Sequence, residues 1–209
     1  MSLTFENISF RYNNTSSEKQ LNLSGFSLNI QEGEKVGIFG KTGSGKSTLI
    51  KLLIGEEKQQ KGKILFKNID IKKKKNLFEN IAILFQEPDK QFVFPNIKDE
   101  IGFISESRKD EIQTGIFELS DKFNFMLKSY LNRNIYALST GELKLIQIIL
   151  VLSLNKQYCI FDDPFLFLDE DKIEILKEIF SNSNDKTFLF LARSKTNFEG
   201  IIDREIIFK

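Results

Sequence analysis

The sequence contains no histidine and only one cysteine, Cys159. Without histidine, the chain has no imidazole that could share or relay a proton near neutral pH. A single cysteine excludes a disulfide bond within the chain. Because Cys159 stands among Tyr158, Ile160 and Phe161, we expect it to be a buried strand residue.

The sequence also lacks an excess of charge and a long apolar run. Lys plus Arg number 30 and Asp plus Glu 29, a formal charge of +1, so nothing drives the chain toward nucleic acid and we expect no such partner. No segment approaches the about 20 apolar residues that a membrane-spanning helix needs. Met1–Phe10 alternates like a strand and does not resemble a signal peptide. The 209 residues, 41% hydrophobic, suit one domain with room for an insertion.

Short strand-like runs alternate with helical stretches along the chain. The pattern predicts helices over Lys46–Ile54 and Lys172–Phe180 and a helical block from about Pro95 to Asn155. Strands alternating with helices predict an α/β fold with a mostly parallel sheet covered on both faces. The helical block predicts an inserted subdomain, residues 92–155. The predicted strands are Leu3–Tyr12, Phe26–Ile30, Lys35–Phe39, Ile64–Phe66, Ile81–Phe85, Gln157–Phe161 and Thr187–Leu191.

The segment Gly40–Ser47, GKTGSGKS, matches the phosphate-loop pattern G-x-x-x-x-G-K-S/T at every fixed position. Glycines let consecutive backbone N–H groups of such a loop turn inward onto phosphates at a helix N-terminus. Lys46 would then reach the β- and γ-phosphates, and the Ser47 hydroxyl would ligate Mg²⁺. The alternative is a chance glycine-rich turn, which the predicted strand before the loop and the predicted helix after it disfavour.

A second element, the apolar strand Tyr158–Asp162 ending in a carboxylate, has the form of a Walker B motif. Asp162 would hold the shell of Mg²⁺ from the carboxyl end of a strand, where the ligands of open α/β sheets bind. On its own, an apolar strand that ends in aspartate gives weak support for a nucleotide site. When it lies downstream of a phosphate loop, it gives strong support.

With four further motifs in the correct order, almost the whole chain resembles the nucleotide-binding subunits of ABC transporters. Leu138–Glu142 (LSTGE) is similar to the family signature LSGGQ, and Gln86 to the Q-loop glutamine. Leu168-Asp169 is similar to the D-loop, and Tyr12 to the aromatic residue that stacks on adenine. The resemblance implies the ABC ATPase fold, with an antiparallel β-subdomain beside the parallel sheet. It also implies one nucleotide-binding domain over residues 1–209, whose helical insertion carries the signature.

The family resemblance implies a function, cofactors and partners. Two cassettes of this family enclose two ATP molecules, so Ser139 and Gly141 would contact ATP held by the partner cassette. The partners would be a second ATPase subunit, identical or different, and transmembrane permease subunits, on the cytoplasmic side at the inner face of the membrane. Ser47, Gln86 and Asp162 would hold Mg²⁺. The implied ATP-binding residues are Tyr12, Gly40, Lys41, Thr42, Gly43, Ser44, Gly45, Lys46, Ser47, Thr48, Ser139 and Gly141.

A finer resemblance concerns Gln86–Gln91, QEPDKQ. This segment is similar to one in the energy-coupling-factor and cobalt-type importer ATPases, which carry Gln-x-Pro-Asp-x-Gln after the Q-loop. The similarity continues through Pro95, Glu100 and Phe103. It implies an ATPase that powers transport of a small solute.

Two of the three implied catalytic positions, Gln86, Asp163 and Arg193, depart from the family pattern. Asp163 replaces the glutamate that polarises the attacking water and is one methylene shorter, and a misplacement of about 1 Å can cost on the order of 10²-fold in rate. Arg193, or Ser194 if the alignment slips by one residue, occupies the position of the switch histidine. Arginine can neutralise the charge of a γ-phosphate but cannot relay protons near neutral pH. The alternative is that Arg193 is only a surface cation without a role at the phosphate.

The departures leave several functions open. Thr140 replaces the first signature glycine, which could weaken the contact to the partner's ATP. The chain is therefore either a competent ATPase or a degenerate half that binds ATP with impaired hydrolysis. Two alternatives are a non-transport ABC ATPase and an ATP-sensing regulatory subunit. An unrelated P-loop kinase or GTPase is disfavoured, because a guanine-binding Asn-Lys-x-Asp motif is missing and the signature would be a coincidence.

Overall fold

The structure, a computed structural model, describes residues 2–12, 22–73, 79–106 and 109–208. Within these ranges, nine strands and five α-helices alternate as the sequence predicts for an α/β fold. The strands are β1 (Ser2–Arg11), β2 (Asn22–Gln31), β3 (Lys35–Gly40), β4 (Lys61–Phe66), β5 (Ile69–Asp70), β6 (Ile81–Leu84), β7 (Tyr158–Asp162), β8 (Thr187–Ala192) and β9 (Arg204–Phe208). The helices are α1 (Lys46–Ile54), α2 (Ile97–Ile104), α3 (Lys109–Lys122), α4 (Thr140–Ser153) and α5 (Glu170–Asn182).

The described strands form two sheets. The first is antiparallel, in the order β2-β1-β4-β5, and the second has the order β6-β7-β8-β3-β9. In the second sheet β3 runs parallel to both β8 and β9, and its register pairs Phe39 with Ala192 and Gly40 with Phe208. Strands β7 and β8 are buried along their whole length, which explains their continuous apolar sequences.

The sequence did not predict β5 or β9. Strand β5 has only two residues. Strand β9 lies at the edge of its sheet, and its side chains are exposed or half-buried. Because an edge strand needs no continuous apolar run, the short segment Arg204–Phe208 gives little sequence signal.

The chain forms two compact units. The first contains Met1–Ile81, Gln157–Ile160 and Asn184–Lys209, and the second contains Ala82–Lys156 and Phe161–Ser183. The first unit holds the antiparallel sheet, α1 and the β8-β3-β9 part of the parallel sheet. The second unit holds α2 to α5 and takes in the predicted insertion, residues 92–155, together with flanking residues.

Three helices of the second unit, α2, α4 and α5, begin at polar capping residues. The Asn96 side chain accepts a hydrogen bond from Asp99 N at the start of α2, and Asp169 caps α5 through Lys172 N. Helix α4 begins with a capping box between Ser139 and Glu142 and is buried from Leu143 to Ser153. In the part of the chain that the structure describes, no helix combines the length and the apolar character needed to cross a membrane.

Candidate functional site

In the first unit, the phosphate loop joins β3 to α1. Gly43 and Gly45 adopt left-handed φ angles of 85° and 98°, a conformation that strains residues with a side chain. Gly45 is the N-cap of α1, and as a glycine it has no side chain that could cap the helix. The N-terminus of a helix that begins in this way suits an anion.

The Lys46 side chain folds back onto this loop. Its Nζ donates to the Gly40 carbonyl at 2.6 Å and to the Lys41 carbonyl at 3.2 Å, and the residue is only 6% exposed. These hydrogen bonds hold a positive charge against the loop backbone. A phosphate cradled by the loop would thus meet both backbone donors and an ammonium group.

Gly40 is required for a close contact, not for an unusual φ angle. A Cβ atom at this position would lie 2.7 Å from the Phe208 carbonyl oxygen and 2.8 Å from Ser44 Oγ. Both distances are too short for a real side chain. The edge strand β9 therefore fixes the path of the chain where the phosphate loop begins.

Two further predicted residues of the first unit, Tyr12 and Arg193, can be placed against this loop. The Tyr12 hydroxyl lies 3.4 Å from Thr48 Oγ1 on α1, which brings Tyr12 to the helix that follows the loop. Arg193 is exposed and comes directly after Ala192, the β8 partner of Phe39. Gly40 comes directly after Phe39. The phosphate loop and Arg193 therefore follow the carboxyl ends of two neighbouring parallel strands, β3 and β8.

In the second unit, one lysine joins the ends of two strands. Lys144 of α4 donates from Nζ to the Phe85 carbonyl at 3.0 Å and to the Asp162 carbonyl at 3.3 Å. The residues that follow these carbonyls are Gln86 and Asp163, two of the predicted catalytic residues. Asp162 itself is 3% exposed. The structure therefore brings the backbone at Gln86, Asp162 and Asp163 together.

Sequence reasoning missed Lys144. The residue is fully buried, and this burial lowers its pKa to about 8, against the opposing effect of the Asp162 and Asp163 charges. A pKa of about 8 leaves the amine mostly protonated at pH 7. A signal was present in the sequence, because the run Leu143–Leu152 is apolar on every helical face except for Lys144 and Gln147. A helix that is apolar all round is buried, and so are its few polar residues.

The half-buried side chain of Gln91 and the buried side chain of Glu100 also hold the segment that follows Gln86. Gln91 donates from Nε2 to the Ile83 carbonyl at 2.7 Å and accepts from Phe85 N at 3.1 Å, so its amide closes the turn against β6. Glu100, 4% exposed, accepts the N–H groups of Val93 and Phe94 through Oε2, each at 2.9 Å. The side chains of Gln91 and Glu100, two residues of the importer-like pattern, therefore bind backbone.

The capping box shapes the signature segment. Glu142 Oε2 accepts from the N–H and the hydroxyl of Ser139, both at 2.8 Å, and Glu142 Oε1 accepts from the Tyr130 hydroxyl at 2.8 Å. These hydrogen bonds, first that of the Ser139 backbone, lower the pKa of Glu142. A carboxylate in place of the family glutamine is thus stabilised as an anion.

Gly141 is required by the D-loop of the same chain. A Cβ atom at Gly141 would lie 2.8 Å from the Phe167 carbonyl oxygen. Phe167, which directly precedes Leu168-Asp169, has a φ of 70° and is 50% exposed. The signature and the D-loop of this chain therefore pack backbone against backbone.

The predicted metal ligands supply oxygen donors. Asp162 and Gln86 lie in the second unit and Ser47 in the first. Among the described residues, no group of three or more His, Cys, Asp or Glu side chains could hold a metal ion. A hydroxyl, an amide and one buried carboxylate suit Mg²⁺, which usually keeps several waters and binds phosphate oxygens of the substrate. The donor chemistry therefore fits Mg²⁺ that arrives with a nucleotide.

Comparison with known proteins identifies the family. The sequence model of the family described as "ABC transporter" matches residues 23–166. The chain is 33% identical over 199 residues to the energy-coupling factor transporter ATP-binding protein EcfA1 of Mycoplasmopsis synoviae, covering 91% of this chain and 73% of that protein. It is also 33% identical over 201 residues to the protein of the same name from Fusobacterium nucleatum, covering 92% and 73%.

Solved structures agree with this assignment. The structure of cbiO1 from Clostridium perfringens, part of the ABC transporter complex cbiONQ, matches with a TM-score of 0.74 at 26% identity, covering 99% of this chain and 84% of that chain. An ATP-binding subunit of an ABC transporter shares the fold with a TM-score of 0.83 at 21% identity, covering 100% and 86%. The expected ABC ATPase fold is confirmed. The chain belongs to the ABC transporter family, as one of its ATP-binding ATPase subunits.

Proposed function

We propose that this chain binds Mg-ATP at its phosphate loop and hydrolyses it to power the transport of a small solute across a membrane, as an ATPase of the energy-coupling-factor type. Energy-coupling factor proteins of two bacteria, similar over more than nine tenths of the chain, support the transporter type. The resemblance of the segment Gln86–Gln91 to importer ATPases supports the same type, and in this chain its terminal glutamine closes the turn against β6.

The observation that carries the proposal is the phosphate loop itself. Left-handed glycines, an N-terminus of α1 that begins at Gly45, and Lys46 held against the loop carbonyls would together bind an anion. The Tyr12 ring, close to Thr48 of α1, would stack on the adenine. Backbone donors of Gly40–Ser47 and the side chains up to Thr48 would bind the phosphates.

Ser47, Gln86 and Asp162 would hold Mg²⁺ at this nucleotide. When bound, Mg²⁺ would neutralise charge on the phosphate oxygens. The buried carboxylate of Asp162 supports this role, because a carboxylate is favoured in such surroundings when it faces a cation. Loss of the Asp162 charge should therefore reduce nucleotide affinity when Mg²⁺ is present. Comparing ATP dissociation constants with Mg²⁺ and with EDTA, for the unaltered protein and an Asp162→Asn variant, tests this role.

Three side chains would carry hydrolysis. Asp163 would accept the proton of the attacking water, Gln86 would help orient that water, and Arg193 would neutralise charge at the γ-phosphate. The exposed position of Arg193 beside the phosphate loop supports its part. Because the side chain of Asp163 is one methylene shorter than glutamate, we expect slow turnover.

A steady-state ATPase assay of the purified chain tests this chemistry. Turnover should be measurable, should fall to background in Asp163→Ala, and should rise in Asp163→Glu. If the unaltered chain hydrolyses ATP no faster than Asp163→Ala but still binds it in a calorimetric titration, the chain is a degenerate half. If Arg193→Ala leaves both affinity and turnover unchanged, Arg193 is a surface cation only.

The chain would work in a dimer of ATPase subunits attached to permease subunits at the inner, cytoplasmic face of a membrane. Ser139 and Gly141 would contact ATP bound to the partner cassette, with either an identical or a different second subunit. The exposure of Ser139 supports such a contact. Sedimentation of an Asp163→Asn variant with Mg-ATP should reveal a dimer, which Ser139→Arg should weaken by placing a bulky charge at the contact.

Co-purification distinguishes transport from the other functions. An affinity-tagged chain expressed in its native cell should retain membrane subunits and, if the dimer is mixed, a second ATPase. A chain that binds ATP yet recovers neither would instead be an ATP-sensing regulator or a non-transport ATPase. Nucleic acid should be absent from the purified complex, given the near-zero net charge.

A further inference from the structure

The buried ammonium of Lys144 needs an explanation beyond packing. Its neighbours on α4, Leu143, Leu145 and Ile146, are apolar and buried, and Lys144 itself is fully buried. Taking an ammonium out of water is costly unless hydrogen bonds compensate. The acceptors of its Nζ hydrogen bonds include two backbone carbonyls, those of Phe85 and Asp162, on two different strand ends.

The Asp162 carbonyl controls the orientation of Asp163. A peptide unit is planar, so fixing the direction of this carbonyl fixes the plane that also carries Asp163 N. Asp163 has a φ of 45°, in the left-handed region that residues with a side chain rarely adopt. Such a backbone persists only where its surroundings hold it. The ammonium of Lys144 supplies a hydrogen bond at that peptide.

The hydrogen bond from Lys144 to the Phe85 carbonyl fixes the end of β6 in the same way. Phe85 accepts from Lys144 through its carbonyl and donates its N–H to Gln91 Oε1. The next residue is Gln86. One side chain of α4 thus fixes the peptide units that directly precede Gln86 and Asp163. The same helix begins at the signature cap Ser139, five positions before Lys144.

We infer that Lys144 is a positioning residue, which anchors the peptides before Gln86 and Asp163 and so sets where the short Asp163 side chain stands during hydrolysis. The inference rests on the proposed role of Asp163. It explains how an aspartate serves at a position where family members have glutamate, since a left-handed backbone changes the direction of the side chain. Lys144 itself touches neither water nor nucleotide in this role.

The test compares Lys144→Met, which keeps an unbranched stem and removes the ammonium, with Val151→Ala, a buried change elsewhere on α4. We expect kcat for ATP to fall at least ten-fold in Lys144→Met, while the ATP dissociation constant and KM change less than three-fold. Val151→Ala should lower stability and leave kcat within two-fold. If Lys144→Met keeps kcat within two-fold of the unaltered protein, the inference is wrong.

Hydrogen exchange in the nucleotide-free protein supplies a readout that needs no turnover. Peptides covering residues 82–92 and 158–168 should exchange faster in Lys144→Met, and not in Val151→Ala. Unchanged exchange in both peptides would contradict the proposed anchoring role of Lys144. If the unaltered protein neither binds nor hydrolyses ATP, the proposed function fails, whereas this exchange comparison still tests the anchor.

Should Lys144→Met fail to fold, Lys144→Gln is the second variant. The amide keeps donors but loses the reach needed for both carbonyls at once. We expect faster exchange in at least one of the two peptides and a kcat between those of the unaltered protein and Asp163→Ala. Exchange and kcat equal to those of the unaltered protein would contradict the inference.

Discussion

Gly141 is a residue where one added carbon changes a backbone contact. In Gly141→Ala, the new Cβ would lie 2.8 Å from the Phe167 carbonyl oxygen, so the signature or the D-loop must move. If the shift reaches about 1 Å, we expect ATP turnover to fall on the order of 10²-fold. Steady-state turnover and a thermal unfolding curve measure the two effects.

The matched control for that change is Gly115→Ala, on α3. A Cβ at Gly115 meets no atom within 4 Å, and its helical position favours alanine. The control should keep full turnover and gain about 0.5–1 kcal/mol of stability. Equal loss of turnover in both variants would contradict a specific contact at Gly141.

Cys159 is expected to be chemically silent in the folded protein. The residue is 2% exposed, and burial raises its pKa to about 12. Since the thiolate is the reactive form, Ellman's reagent at pH 8 should label much less than one thiol per folded chain within minutes. After unfolding in guanidinium chloride, one thiol per chain should react. Rapid labelling of the native protein would show that β7 opens readily.

At the scale of the element, the end of β6 depends on Gln91. Replacing Gln91 by Leu removes the side-chain partners of Ile83 O and Phe85 N. We expect a loss of about 1–3 kcal/mol in the free energy of unfolding, because these partly buried backbone groups lose the hydrogen bonds that Gln91 makes with them. Urea denaturation measures this loss. Gln113→Leu, which removes one contact to Ser105 Oγ, should cost less, and an equal loss would contradict the special role of Gln91.

The helices and strands were predictable where their signals were local. Helix α1 has the predicted bounds because a left-handed glycine stands at each end, Gly45 and Gly55. Strand β9 has no comparable signal, since its half-buried side chains depend on pairing with β3, which is remote in sequence. Lys144 was missed for the same reason. Its hydrogen-bond acceptors are 59 and 18 positions away, and only the fold brings them to α4.

At the scale of the whole molecule, each of the two units contains some of the predicted site residues. The first contains the contiguous phosphate-loop motif, whose residues the sequence pattern predicts one by one. The second contains Gln86, Asp162, Asp163 and the signature, whose contacts join distant segments. Motif spacing could name these residues. Only the three-dimensional contacts could show that the backbone around them is held by side chains such as Lys144.

Binding of Mg-ATP should stabilise the whole chain. A ligand that binds only the folded state at one hundred times its dissociation constant adds about 2.7 kcal/mol to the free energy of unfolding. Urea denaturation with and without Mg-ATP at that ratio measures the gain. Lys46→Ala, tested at the same nucleotide concentration, should lose most of the gain, since the ammonium at the Gly40 carbonyl is removed. An equal gain in both proteins would place the nucleotide elsewhere.

The contact between Gly40 and Phe208 has a mechanical consequence. Among the described strands, β9 lies at the edge of its sheet and pairs with β3 alone, with Phe208 opposite Gly40. Tension applied to the chain beyond Phe208 would peel β9 away one hydrogen bond at a time, beginning beside the phosphate loop. If a protein is pulled from beyond Phe208 in an optical trap, its affinity for the nucleotide should therefore fall before the rest of the parallel sheet unfolds.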